Sequence, residues 1–114
     1  MREIKFYRTS SGKCPVEDFL DLLNDQQVKK VLWVLKLVKE LEIVPKEYFK
    51  KLAGIDNIWE VRIVTGRNLY RILGFFDGSE FVVLTNAFAK KSQKIPRKEI
   101  QLAEQRRRDY LERK

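Results

Sequence analysis

Arg62 and Arg71 stand in runs otherwise built for burial, W-E-V-R-I-V (59–64) and L-Y-R-I-L-G-F-F (69–76). A third such run, F-V-V-L-T-N-A-F-A (81–89), leads directly into Lys90 and Lys91. A guanidinium stays charged at physiological pH and offers parallel N–H donors that match two oxygens of a phosphate. An unpaired cation in a dry environment is costly, so arginines in apolar strands require an anion. The residue types therefore point to phosphate binding, with RNA as the candidate polyanion and Glu60 as the competing anion within the chain.

Three strands in an antiparallel meander must position these groups. Asp77-Gly78 is a two-residue hairpin signal, because both central positions of that turn take φ > 0. Such a turn sets Phe76 opposite Ser79, Arg71 opposite Leu84 and Leu69 opposite Asn86. Thr65-Gly66-Arg67-Asn68 marks the earlier turn, where a loop of two or four residues pairs Val64 with Leu69 and Arg62 with Arg71. Alternation along the strands then gathers Glu60, Arg62, Leu69, Arg71, Leu73, Val82, Leu84 and Asn86 on one face. Phe88 and Lys90 extend that face if pairing persists. Trp59, Val61, Ile63, Tyr70, Ile72, Phe81 and Val83 take the other face as core. Like charges directly opposite one another are destabilising, so facing arginines again ask for an anion between them. On that basis, removing one of the two should leave folding little affected.

The rest of the chain supplies the layers. Glu3 to Arg8 alternates as a first strand, with Ile4 and Phe6 on one face, and Thr9-Ser10-Ser11-Gly12 is a turn. Pro15 suits the first position of a helix whose first turns carry Glu17, Asp18 and Asp21. Asn24 or Asp25 caps a longer helix in which Val28, Val31, Leu32, Leu35, Val38 and Leu41 recur at helical spacing, with Trp33 and Val34 widening the stripe. Pro45 ends it, and Tyr48, Phe49 and Leu52 read as one further helical turn before Gly54. Ile95-Pro96 opens a terminal helix carrying Ile100, Ala103, Tyr110 and Leu111. Trp59, Tyr70, Phe75 and Phe76 read as core; Trp33 reads as core or as a partner interface. Cys14 reads as a small residue in a turn. The expected architecture is one α+β domain spanning 1–114: a twisted antiparallel sheet packed on one face by the two N-terminal helices. The terminal helix should lie along the sheet edge or on its other side.

Composition bounds the function. A chain of 114 residues buries roughly 60–70% of its unfolded surface as one domain and is too short for two. The net charge of +8 and the pI near 9.7 favour a polyanionic partner. Residues 90–114 hold ten cations against four acids, so most of that charge sits at the end of the last strand and in the terminal helix. Arg106, Arg107 and Arg108 read as a solvated helix face. Lys50 and Lys51 read either as a solvated loop or as an RNA contact. Histidine is absent, which removes the commonest general base and metal ligand, and a single cysteine excludes an internal disulfide. With no apolar leader and no run of about 18 apolar residues, the expected location is the cytoplasm, away from the membrane.

Taken in order, the strand, two helices, K-K-L-A-G, W-E-V-R-I, Y-R-I-L, D-G and F-A-K-K-S-Q-K-I-P-R-K-E-I-Q-L-A resemble the HigB-like branch of the RelE toxin superfamily, over roughly residues 2–111. The segment from Phe88 to Ile100 is the most specific part. The resemblance implies the toxin of a phage-derived type II toxin–antitoxin system, a ribosome-dependent endoribonuclease that cuts mRNA and stops translation. Its implied partners are a cognate helix-turn-helix antitoxin, the ribosome and mRNA. The implied chemistry needs no metal and no cofactor: the ribose 2′-OH attacks the adjacent phosphate, giving a 2′,3′-cyclic phosphate and a free 5′-OH. Arg62 and Arg71 match the family's strand arginines and would hold the scissile phosphate. Lys90 and Lys91 match its lysine pair and complete the implied catalytic set. Lys51, Asn86, Phe88 and Lys94 would contact RNA, Phe88 either by stacking on a base or as core. Several relatives carry histidine in L-H-G-F where this chain has Asn86 in T-N-A-F, so an imidazole base is excluded. Lys90, Lys51 or Glu60 is then the proton acceptor, Glu60 alternatively serving as an arginine partner, or catalysis rests on electrostatics and substrate orientation.

Two other classes fit the same basic face. One is a non-catalytic RNA- or DNA-binding module. The other is an interaction subunit whose arginines pair with acids of a protein partner, for which RNA affinity would lack the salt dependence of phosphate contacts.

Overall fold

The computed structural model describes residues 1–90 and 93–114. In chain order these form β1 (Glu3–Phe6), α1 (Pro15–Leu20), α2 (Asp25–Glu40), β2 (Phe49–Lys51), β3 (Trp59–Thr65), β4 (Asn68–Asp77), β5 (Phe81–Ala89) and α3 (Arg97–Glu112). The five strands make one sheet in the order β1-β5-β4-β3-β2. The β2–β5 run is antiparallel as the turns require, but β1 lies parallel to β5, with Ile4 opposite Val82 and Phe6 opposite Leu84. The sheet is therefore mixed, and α1 and α2 carry the chain from β1 at one edge to β2 at the other.

Local chemistry explains the helices on the first face. Pro15 starts α1, with Glu17 and Asp18 in its first turn. Asn24 caps α2 in a reciprocal capping box with Gln27. The guanidinium of Arg2 donates to the carbonyls of Val38, Leu41 and Glu42, groups that the end of α2 leaves without helical partners. Val31, Val34, Leu35 and Val38 form the buried stripe of α2, packing with Val16 and Leu20 on Val61, Ile63, Tyr70, Ile72, Val82 and Leu84. Each such side chain contributes roughly 1.5–3 kcal/mol. The stripe is rotated relative to the periodic reading: Leu32 is exposed, and Trp33 is 45% exposed, outside the core and edge-on to Tyr48. No helix among the described residues is long and apolar enough to cross a membrane.

Residues 49–51 form strand β2, not the expected helical turn. Phe49 stacks on Trp59 with ring centroids 4.8 Å apart, and that contact favours the pleated backbone over a helix.

The β4–β5 hairpin also departs from expectation, with consequences for both faces. Asp77 pairs with Phe81, so three residues form the loop instead of two. Gly78 takes φ 70° while Asp77 does not adopt positive φ, which rules out the two-residue turn. Farther along, Leu73 faces Asn86 but Gly74 faces Leu84, leaving Thr85 as an extra residue in β5. The odd loop length reverses the face assignment of the first half of β5, and the bulge restores it beyond Thr85. Val82 and Leu84 pack under α1 and α2, whereas Val83 joins Leu73, Phe75 and Ala103 beneath α3 on the opposite face. Beyond the bulge, Asn86 and Phe88 return to the face of Arg71. Gly74 makes the bulge feasible: a Cβ there would sit 2.6 Å from the Val83 carbonyl oxygen.

Polar pins hold α3 over that second face. Asn86 and Arg106 tie it to β5, the latter donating to the Thr85 carbonyl at 2.9 Å. At its far end the Tyr7 hydroxyl donates to Asp109, Arg113 pairs with Asp109 at 2.7 Å, and Asp77 receives Tyr110 and Lys114. The Tyr7 hydroxyl holds the Asp109 carboxyl below its ordinary value, helped by Arg113, and Lys114 does the same for Asp77, helped by Tyr110.

Gly74→Ala should cost about 1–3 kcal/mol, because the clash is with backbone, and should lower the Tm by roughly 5–15 °C in a thermal melt. Acid should loosen the α3 end. Both carboxyls bind protons less readily folded than unfolded, so their contribution is complete above about pH 4 and disappears as pH falls through the depressed values. Urea midpoints measured from pH 6 to pH 2 should fall in that window, and Asp109→Asn should flatten the fall.

Candidate functional site

The pairing of β3 with β4 sets Arg62 directly opposite Arg71 and Glu60 opposite Leu73, as the sequence implied. The two-residue loop Gly66-Arg67 fixes this register, with Gly66 at φ 60°. Strand β2 adds a fourth member, because Lys50 lies opposite Glu60. With Phe49 committed to the core, alternation turns Lys50 to the other face. Lys50, Glu60, Arg62 and Arg71 thus line one cleft of about 730 Å³. Its walls are completed by Leu52, Ala53 and Ile55 from the β2–β3 connection and by Gln93, Lys94, Ile95 and Ile100 on the α3 side. One wall is cationic and the others are largely aliphatic.

A single carboxylate oxygen organises the charge. Glu60 Oε2 lies 3.0 Å from Arg71 Nε and 3.8 Å from Arg62 Nε. The side chains of Glu60 and Arg71 are only 2% and 6% exposed, whereas that of Arg62 is 31% exposed. Neither contact has hydrogen-bond geometry, so Glu60 Oε2, Arg62 Nε and Arg71 Nε are buried polar atoms without a hydrogen-bond partner. Arg71 is further held through Nη2, which donates to the Gln93 carbonyl at 3.3 Å. Among the described residues, Glu60 is the one ion-pair partner of Arg62. Glu60 thus sits close to Arg71 and holds Arg62 only at long range.

The remaining sequence candidates divide. Lys94 lines the cleft. Lys90 sits at the end of β5, outside the lining, and bonds through Nζ to the Gln93 side chain at 3.2 Å. Lys91 lies outside the described residues. Lys51 lies outside the cleft lining, its amine donating to the Ile55 carbonyl at 3.2 Å, and its neighbour Lys50 is the one that enters the cleft. Reading 49–51 as a strand with Phe49 inward would have found this. Asn86, expected at the RNA, is buried, and both ends of its amide are engaged: Oδ1 accepts from Thr85 and Nδ2 donates to Glu99. It is a structural link between β5 and α3. Phe88 packs against the core cluster beneath α3 and does not line the cleft. Arg106 and Arg107 are likewise pins, to the carbonyls of Thr85 and Asp56, so the solvated reading holds only for the exposed Arg108. Gln93 was not singled out, yet it touches both Arg71 and Lys90.

The sequence profile of the family described as Phage derived protein Gp49-like (DUF891) matches residues 18–108, a span that contains every residue of this cleft. The chain belongs to that family, which is a RelE/toxin-like one. No curated protein matches the chain.

The buried pair changes the folding expectation for Arg71 alone and leaves it as it was for Arg62. Arg71→Ala strands Glu60 at 2% exposure with a partner 3.8 Å away, and should lower stability by about 3–5 kcal/mol in urea unfolding. Arg62→Ala removes the long, partly solvated contact and should cost under about 1 kcal/mol.

Proposed function

We propose that this Gp49-like protein is the toxin of a type II toxin–antitoxin pair, a ribosome-dependent endoribonuclease that cuts mRNA by attack of a ribose 2′-OH on the adjacent phosphate. The observation that supports this best is the arginine pair in the cleft, whose buried N–H donors lack hydrogen-bond acceptors. Buried donors of that kind gain most from an incoming anion, since each unsatisfied one costs about 1–3 kcal/mol.

In this reading the scissile phosphate enters beside Arg62, with Lys50 and Lys94 placed for the flanking phosphates. The new bond joins the 2′ oxygen to phosphorus and the bond to the 5′ oxygen breaks. The 2′ proton passes to a base, the 5′ oxygen gains a proton, and the products are a cyclic phosphate and a 5′-OH. Arg62 stabilises the charge that develops on the non-bridging oxygens. Lys90 and Lys51 remain candidates for the proton acceptor, and Lys50 joins them from its place opposite Glu60. The aliphatic surfaces of Leu52, Ile55, Ile95 and Ile100 offer a nucleobase a dry wall in place of an aromatic stack. A helix-turn-helix antitoxin and the ribosome are the proposed partners, in the cytoplasm.

Induced expression of the isolated protein should arrest growth and translation, and co-expression of a cognate antitoxin should relieve the arrest. On programmed ribosomes, Arg62→Ala should slow cleavage by roughly 100- to 1,000-fold, the scale for loss of one donor to developing charge. Arg62→Lys should recover only part of the rate, because it keeps the charge and loses the fork. Normal growth with intact mRNA at confirmed soluble expression would leave a non-catalytic nucleic-acid-binding module instead.

A further inference from the structure

The two arginines are not equivalent, and the difference lies in how Glu60 holds them. Arg71 is fixed: it is nearly buried, its Nε is 3.0 Å from Glu60 Oε2, and its Nη2 donates to the Gln93 carbonyl. Arg62 is loosely held: it is about one-third exposed, and the same oxygen is 3.8 Å away. Glu60 itself cannot follow either partner outward, because it sits within a central β-pairing at 2% exposure, opposite Leu73 on one side and Lys50 on the other. Resting on the phosphate-binding reading of this cleft, we infer that Glu60 is a built-in counter-anion which the substrate phosphate displaces from Arg62 while it keeps Arg71 in place.

The physical argument is one of exchange. Three polar atoms at the centre of the site are buried without hydrogen bonds, so the resting arrangement is electrically compensated but geometrically unsatisfied. A phosphate in the cleft could accept from Arg62 with short, aligned hydrogen bonds, which Glu60 does not provide at 3.8 Å. Arg71 has less to gain, being closer to Glu60 and anchored a second time through Gln93. The carboxylate therefore does two things that oppose one another in binding and in catalysis. It competes with the phosphate for Arg62, which weakens affinity. It also holds Arg71, and through the shared oxygen the resting pose of Arg62, in the plane of the cleft, which orients the cations for the reaction. Glu60 is accordingly a positioning residue.

The test separates these effects. Binding is measured by titration calorimetry at low salt with a short RNA carrying a single 2′-deoxyribose at the cleavage position, so that no reaction occurs. Cleavage is measured separately on programmed ribosomes. Glu60→Gln, isosteric and uncharged, should bind the oligonucleotide about five- to tenfold more tightly and yet cleave about ten- to a hundredfold more slowly. A purely structural loss would weaken both. Combining it with Arg62→Ala should shrink the gain in affinity to twofold or less, because the competition runs through Arg62. Glu60→Asp, which keeps the charge but withdraws it, should bind about as the parent protein does and recover part of the cleavage rate. Circular dichroism and thermal melting confirm folding of each variant. The inference is overturned if folded Glu60→Gln binds no more tightly, if the gain is unchanged in the Arg62→Ala background, or if the parent protein does not bind the oligonucleotide at all. An absence of cleavage by the parent protein alone would count against the endoribonuclease reading and leave the binding result standing.

Discussion

One oxygen atom, Glu60 Oε2, lies between two guanidinium groups in the middle of a sheet, and the site is arranged around that contact. Two arginines directly opposite on adjacent strands would repel each other, and in a partly dry setting that repulsion would be poorly screened. The carboxylate removes the conflict without satisfying the hydrogen-bonding capacity of either cation. The sheet can therefore fold with both guanidinium groups already facing the cleft. The desolvation cost of a buried ion pair is large, and it is retained here at the place where an external anion could share it.

The geometry around that contact depends on features far from it. Gly74 lets β5 approach closely enough to form the Thr85 bulge, and the bulge decides which side chains of β5 lie under α3. Without the extra residue, Asn86 would alternate with Leu84 onto the α1/α2 face and could not reach Glu99. Asn86, Arg106 and the Tyr7–Asp109–Arg113 group then hold α3 against the sheet, and the residues leading into α3 bring Gln93 and Lys94 to the rim. Several cations that look like a solvated surface in the sequence act as pins. In the cleft itself, Lys50, Arg62, Arg71 and Lys94 outnumber Glu60.

A family assignment and a cationic cleft support the same reading from different directions. The profile match concerns the whole order of elements from α1 to most of α3. The cleft concerns the placement of a few atoms, which a degenerate relative could lose while keeping the fold. The proposed enzyme activity accordingly rests on Arg62 and its neighbours, and the family supplies only the setting.

The sequence by itself determined the helices α1, α2 and α3, the β3–β4 register and the facing arginines. Those features follow from local rules: proline and capping residues at helix starts, a 3.6-residue apolar period, and a glycine-containing turn of even length. It also offered an unread sign of the bulge, the isolated Gly74 inside an apolar strand. Only the tertiary structure decided the rest. The parallel place of β1 beside β5 joins residues nearly eighty apart in sequence, which no local pattern encodes. Strand β2 is too short to show a period, and its conformation comes from Phe49 stacking on Trp59; that contact chose Lys50 over Lys51 for the cleft. The resemblance gave Asn86 and Phe88 an RNA role, and the structure adds what no local pattern shows, that α3 packs over both. The balance among Glu60, Arg62 and Arg71 is likewise tertiary, since a register shows which charges face each other and not which of them is buried.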